Sequence, residues 1–134
     1  MMRTLGIAMG SLFLLGGILG FVPGVIRDGM YFGIFMVNTL HNLLHLASGA
    51  MFILASALGP RVARFWFQAF GMIYGAMAIV GLKVGTGMIC GMISNNAYDA
   101  WGHAGLALGM LAIGFGFPRR LIDCPGEVCK CKSV

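Results

Sequence analysis

Polar residues are sparse along this chain, and those present fall in register. Asn38, His41, Asn42 and His45 open an apolar run that continues to Leu58. At 100° per residue they lie within about 60° of one line on a helix, and Gly49, Phe52 and Ser56 extend that line. The spacing returns 58 residues later as Asn96, Asp99 and His103, again at the head of an apolar run. Two helices therefore carry a matching Asn-x2-(His/Asp)-x3-His stripe, and the stripes are expected to face each other.

Four apolar stretches, about 5–22, 40–58, 65–82 and 101–117, are each long enough to cross a hydrocarbon layer of roughly 30 Å. The pattern predicts an all-α integral membrane protein with four transmembrane helices. One transmembrane domain covers 1–120 and a tail covers 121–134. Composition agrees: 59% of the 134 residues are hydrophobic and 10% charged, with a mean hydropathy of +0.90, too apolar for a soluble domain of this size. The net charge of +5 is set out by side. Arg3, Arg61, Arg64, Arg119, Arg120, Lys130 and Lys132 flank one face of such a topology, and only Arg27 and Lys83 the other. Under the positive-inside rule both termini are expected in the cytoplasm. The excess of positive charge reads as orientation and headgroup contact with the bilayer, not as a nucleic-acid footprint. Met1-Met2-Arg3 before a Gly/Leu run also has the form of a signal peptide. Its removal would leave three helices and break the repeat, so it is taken as the first span.

Shifting the chain by 58 residues aligns Arg3 with Arg61, Gly17 with Gly75, Val22 with Val80, Gly29-Met30 with Gly87-Met88, and Gly33 with Gly91. Asn38 then meets Asn96, His45 meets His103, and Pro60-Arg61 meets Pro118-Arg119. This predicts a tandem duplication of a two-helix unit, with repeats of about 1–58 and 59–117 and an axis along the membrane normal.

Local signals fill in the spans. Gly6-x3-Gly10 permits close helix approach. Gly59-Pro60 ends the second helix and makes a tight turn. Gln68, Gly71 and Gly75 form a small-residue face on the third. Trp66 on one side, and Tyr31, Tyr98 and Trp101 on the other, are interface anchors. The two outer connections are apolar around 30–36 and 88–93 and are expected to lie at the interface or over the bundle mouth. In the tail, Cys124, Cys129 and Cys131 should be reduced. They supply three ligands where tetrahedral zinc wants four, so a plain flexible tail, acylation or redox use, and metal binding with a further ligand stay open.

Buried Asn, His and Asp need partners in hydrocarbon, so the stripes are expected to bond one another. His45 lies seven residues, about 10 Å, beyond Asn38, and the repeat places His103 at the same depth near the outer face. The run Gly33-Ile34-Phe35, Asn38, His41-Asn42-Leu43-Leu44-His45, Gly49, with Phe70-Gly71-x2-Tyr74 and Asn96-x2-Asp99-x3-His103, resembles a family of small bacterial four-helix membrane proteins catalogued only as a domain of unknown function. The resemblance covers about 5–117; Gly102 stands before His103 where that family typically has leucine. It implies the fold and a location in the bacterial inner membrane, and supplies no activity.

Three functions stay open. The first is a structural or accessory membrane protein, alone, as a homo-oligomer or with other membrane subunits, whose polar layer of Asn38, Asn42, Asn96 and the histidines ties its halves together. This reading needs no cofactor. The second is a metal or haem site using His41, His45, Asp99 and His103, all ligand types. The third is a proton or small-solute path through Asp99 and the histidines. An enzyme is not expected, since no Ser or Cys nucleophile is paired with a base and no phosphate loop occurs.

Overall fold

The computed structural model describes residues 1–117; Pro118, Arg119, Arg120 and the tail with Cys124, Cys129 and Cys131 lie outside the described residues. Among the described residues there are four helices, α1 (Met2–Leu19), α2 (Thr39–Leu58), α3 (Pro60–Val84) and α4 (Ala97–Gly116). α1, α2 and α3 are long and apolar enough to cross a membrane. α4 spans 20 residues, but its first two turns carry Tyr98, Asp99, Trp101 and His103, which lower its apolarity. Large apolar side chains stand on the exterior, among them Leu54 (59% exposed) and Leu108 (69%). Such a surface suits hydrocarbon and would associate in water.

α1 covers Met2–Leu19 and not about 5–22, and α3 and α4 begin four or more residues ahead of their apolar runs. α3 starts at Pro60, which suits the first helical position because its missing N–H would have had no intrahelical partner. Gly59 precedes it at φ +143°, a conformation that favours glycine, and is the whole connection between α2 and α3. α4 starts at Ala97 because Asn96 caps it.

The connections from α1 to α2 and from α3 to α4 are ordered ribbons. β1 (Ile26–Arg27), β2 (Met30–Tyr31) and β3 (Phe35–Met36) form an antiparallel sheet in that order, and β4 (Gly87–Ile89) pairs with β5 (Ile93–Asn95). Asp28 and Gly29 both have positive φ, the signature of a tight hairpin turn. The pairs Phe32-Gly33 and Cys90-Gly91 repeat that conformation, with Ile34 N donating to Tyr31 O and Met92 N to Ile89 O, each at 3.1 Å.

α1 packs along α2, and α3 along α4. In the first pair a Cβ added at Gly10 would stand 2.8 Å from Gly49 O, and one at Gly49 would stand 2.7 Å from Gly10 O. The backbones thus touch where neither residue has a side chain. In the second pair a Cβ at Gly71 would meet Leu111 Cγ at 2.7 Å, whereas one at Gly75 meets only Ala107 Cβ at 3.7 Å. The expected small-residue face is therefore tight at Gly71 and looser at Gly75.

Between the pairs runs an aromatic column. Phe13 lies 6.0 Å from Phe52 and 5.1 Å from Tyr74 by ring centroids, and Phe52 lies 5.0 Å from Phe67 and 5.2 Å from Phe70. Phe52 and Phe67 are fully buried. At the end of the bundle away from the ribbons, Arg3 donates from Nε to Ser56 O and from Nη2 to Ala57 O, both at 2.9 Å. Arg64 Nε and Gln68 Nε2 donate to Gly114 O at 2.8 and 2.9 Å. These side chains satisfy carbonyls in the last turns of α2 and α4 that lack helical partners.

Candidate functional site

The polar stripes begin as helix caps. Asn38 Oδ1 accepts from His41 N at 2.9 Å, and Asn96 Oδ1 accepts from Asp99 N at the same distance. On α4 the Asp99 carboxylate completes a capping box by accepting from Asn96 N at 2.9 Å. The amide nitrogens then reach across the molecule. Asn38 Nδ2 donates to Met92 O at 2.7 Å, and Asn96 Nδ2 donates to Ile34 O at 2.7 Å. Residues 38 and 96 stand 58 apart, as do 34 and 92.

The next layer repeats the exchange with different chemistry. Met36 N donates to Asp99 Oδ2 at 2.9 Å, while His41 Nδ1–H donates to Ser94 O at 3.2 Å. Positions 36 and 94, like 41 and 99, are again 58 apart. An amide faces the residue at 99 and a carbonyl faces the residue at 41. A carboxylate, which only accepts, suits the first, and an imidazole N–H suits the second. Ser94 Oγ also donates to Met36 O at 3.1 Å.

The stripes were expected to bond one another, but Asn38, His41, Asn96 and Asp99 bond the backbone of the opposite ribbon. Asn42 donates to Gly20 O at 2.7 Å, at the end of α1. The ribbons supply backbone N–H and C=O groups at the layer where the side chains need partners, so loop backbone takes the place of facing side chains.

Deeper in the bundle the histidines gather. Ring centroids are 4.9 Å apart for His41 and His45, 5.6 Å for His41 and His103, and 6.2 Å for His45 and His103. One ligand nitrogen from each lies within 4.8 Å of the others. His45 Nε2 and His103 Nδ1 are buried with no hydrogen-bond partner among the described residues. The set of His41, His45, Asp99 and His103 thus resolves into three imidazoles and a carboxylate held by backbone amides. His45 rests edge-on against Phe13 at 5.4 Å, and His103 against Tyr74 at 5.3 Å.

Two cavities border this cluster. One, of about 260 Å³, is bounded by Gly16, Tyr31, Phe35, Gly102 and Leu106. The other, of about 340 Å³, is bounded by Leu44, Met51, Ile73, Tyr74, Met77 and Ile93. His41, His45 and His103 line both. Burial pushes the Tyr31 phenol up from its ordinary value.

Three contributors were not singled out as site residues from the sequence. Ser94 and the Met36 backbone belong to the cross-bonded layer. Tyr74, whose hydroxyl shares a 3.1 Å hydrogen bond with Ser48, forms the floor beneath His103. The first two lie in ribbons that read as loops, and Tyr74, though part of the Phe70-Gly71-x2-Tyr74 motif, sits in an apolar helix where its spacing gave it no place in the polar stripes. No curated protein and no solved structure matches the chain. The family described as Domain of unknown function (DUF4383) does match, over residues 3–116, so this chain, with its cross-bonded His/Asn layer, belongs to that family.

Proposed function

We propose that the protein is a four-span integral membrane protein of structural or accessory kind, a single transmembrane domain over 1–120 built by tandem duplication of a helix pair. Its buried Asn/His/Asp layer clasps the two halves near the outer face. The observation that carries this reading is the reciprocal pair Asn38 Nδ2 to Met92 O and Asn96 Nδ2 to Ile34 O, each at 2.7 Å. Every donor and acceptor in it has its counterpart 58 residues away. In this arrangement α4 crosses the bilayer with α1, α2 and α3, its polar turns facing the bundle. Both termini face the cytoplasm of a bacterial cell whose inner membrane holds the chain, and lipid is its first partner, with further copies or other membrane subunits on the apolar exterior.

A conducting path is less well supported. Phe13, Phe52, Phe67 and Phe70 fill the axis beyond the histidines and offer a proton or solute no polar relay. Metal binding is supported by the two partnerless imidazole nitrogens.

The full chain is expected to resist alkaline carbonate extraction, dissolve in detergent and unfold in one thermal transition. Replacing Asn38 and Asn96 together by leucine should lower the midpoint and separate the transition into two. A midpoint equal to that of the parent protein would contradict the clasp.

A further inference from the structure

We infer that His41, His45 and His103 form a binding site for one copper ion in its cuprous state. The inference uses the same polar layer but does not depend on its clasping role. The donors are already assembled. Tetrahedral or trigonal coordination at roughly 2.0–2.1 Å puts ligand nitrogens about 3.3–3.6 Å apart, and these lie within 4.8 Å of one another before any ion draws them together. Small ring rotations close the difference, and the flanking cavities leave room for them.

The protonation pattern suits ligation. His41 spends its Nδ1–H on Ser94 O at 3.2 Å. A backbone carbonyl holding one ring nitrogen in this way sets the tautomer and turns the other nitrogen's lone pair outward. His45 Nε2 and His103 Nδ1 have no hydrogen-bond partner among the described residues, and His103 is 8% exposed. A buried polar atom without a partner carries a desolvation cost that native proteins seldom leave unmet. A cation placed among the three rings would satisfy both nitrogens at once.

Charge and softness select the ion. Three neutral imidazoles bring no negative charge, and the energy of burying an ion grows with the square of its charge. A monovalent ion is therefore much less costly here than a divalent one. Asp99 stands outside the ligand set. Its Oδ2 stays on the amides of Met36 and Asn96. Met51 and Met77 line the larger cavity beside His45 and His103. Soft thioether sulfur favours cuprous ion.

Purified full-length protein in detergent, loaded anaerobically with cuprous ion against a chromophoric chelator, should retain one copper per chain. His45→Ala and His103→Ala should each weaken retention by at least a hundredfold, while Asn38→Ser, which disturbs only the outer layer, should leave it within about threefold. X-ray absorption on the loaded parent protein needs no variant and should report two or three nitrogen neighbours. Absence of stoichiometric copper, copper held equally by both histidine variants, or a sulfur-only shell would overturn the inference. Zinc bound in copper's place would overturn the choice of ion. Copper binding that survives while the Asn38/Asn96 variants melt as the parent does would remove the clasp and leave the metal site standing.

Discussion

Asn38 and Asn96 each cap a helix with the side-chain oxygen and hold the opposite ribbon with the side-chain nitrogen, both cross-molecule bonds being 2.7 Å long. Serine at either position keeps an oxygen for the cap and loses the long reach of the amide. Asn38→Ser and Asn96→Ser should therefore destabilise by similar amounts, about 0.5–1.5 kcal/mol each, the net worth of one hydrogen bond. Thermal unfolding in detergent measures both. A marked inequality between the two would contradict the reciprocal arrangement.

Glycine positions that look alike in sequence should answer differently to a single methyl group. Gly49→Ala forces a Cβ to 2.7 Å from Gly10 O, a backbone atom with little freedom to move. The cost should be about 1–3 kcal/mol, as for other overpacked sites. Gly75→Ala finds only Ala107 Cβ at 3.7 Å. There alanine should be neutral or stabilising by up to about 1 kcal/mol, because glycine is the poorer helix former. A destabilised Gly75→Ala protein would mean that α3 and α4 pack more closely than described.

Cys90 gives the orientation a direct test. It is exposed at the tip of the β4–β5 turn, on the side where only Arg27 and Lys83 are basic. An impermeant maleimide should label it in intact spheroplasts and should fail to label Cys90→Ser there. Cys124, Cys129 and Cys131 should react only after permeabilisation. The reverse pattern would put the histidines near the cytoplasm and refute the charge asymmetry as a topology signal.

The apolar runs made the helices legible, because length and hydrophobicity survive without tertiary context. Their starts were less so. Trp101 looks like the head of the fourth run, yet Asn96 and Asp99 cap the helix four residues earlier, a pattern the Asn-x2-Asp spacing already contained. The ribbons were hidden by apolar residues around Met30 and Met88, although Asp28-Gly29 marked one turn. The approach of His45 to His103 was expected from their spacing; that His41 joins them was not. Nor were the partners of Asn38, His41, Asn96 and Asp99, because they are backbone atoms, and no residue type announces where a carbonyl or an amide will stand.

Asp99 offers the sharpest separation of charge from shape in this layer. Its Oδ2 accepts from Met36 N and Asn96 N, both at 2.9 Å, tying the β3 strand to the first turn of α4. Asparagine is nearly isosteric and keeps one acceptor oxygen, so Asp99→Asn should retain both contacts in weaker, uncharged form. The expected loss is about 1–2 kcal/mol, the difference between charge-assisted and neutral hydrogen bonds. Asp99→Leu removes the acceptor and leaves two amides facing an apolar side chain. Each unpaired buried N–H costs about 1–3 kcal/mol, so this variant should be clearly the less stable, with the ribbon freed from α4. Hydrogen exchange reads this locally: the amides of Met36 and Asn96 should stay protected in Asp99→Asn and exchange rapidly in Asp99→Leu. Equal protection in the two variants would show that the carboxylate does not hold the ribbon.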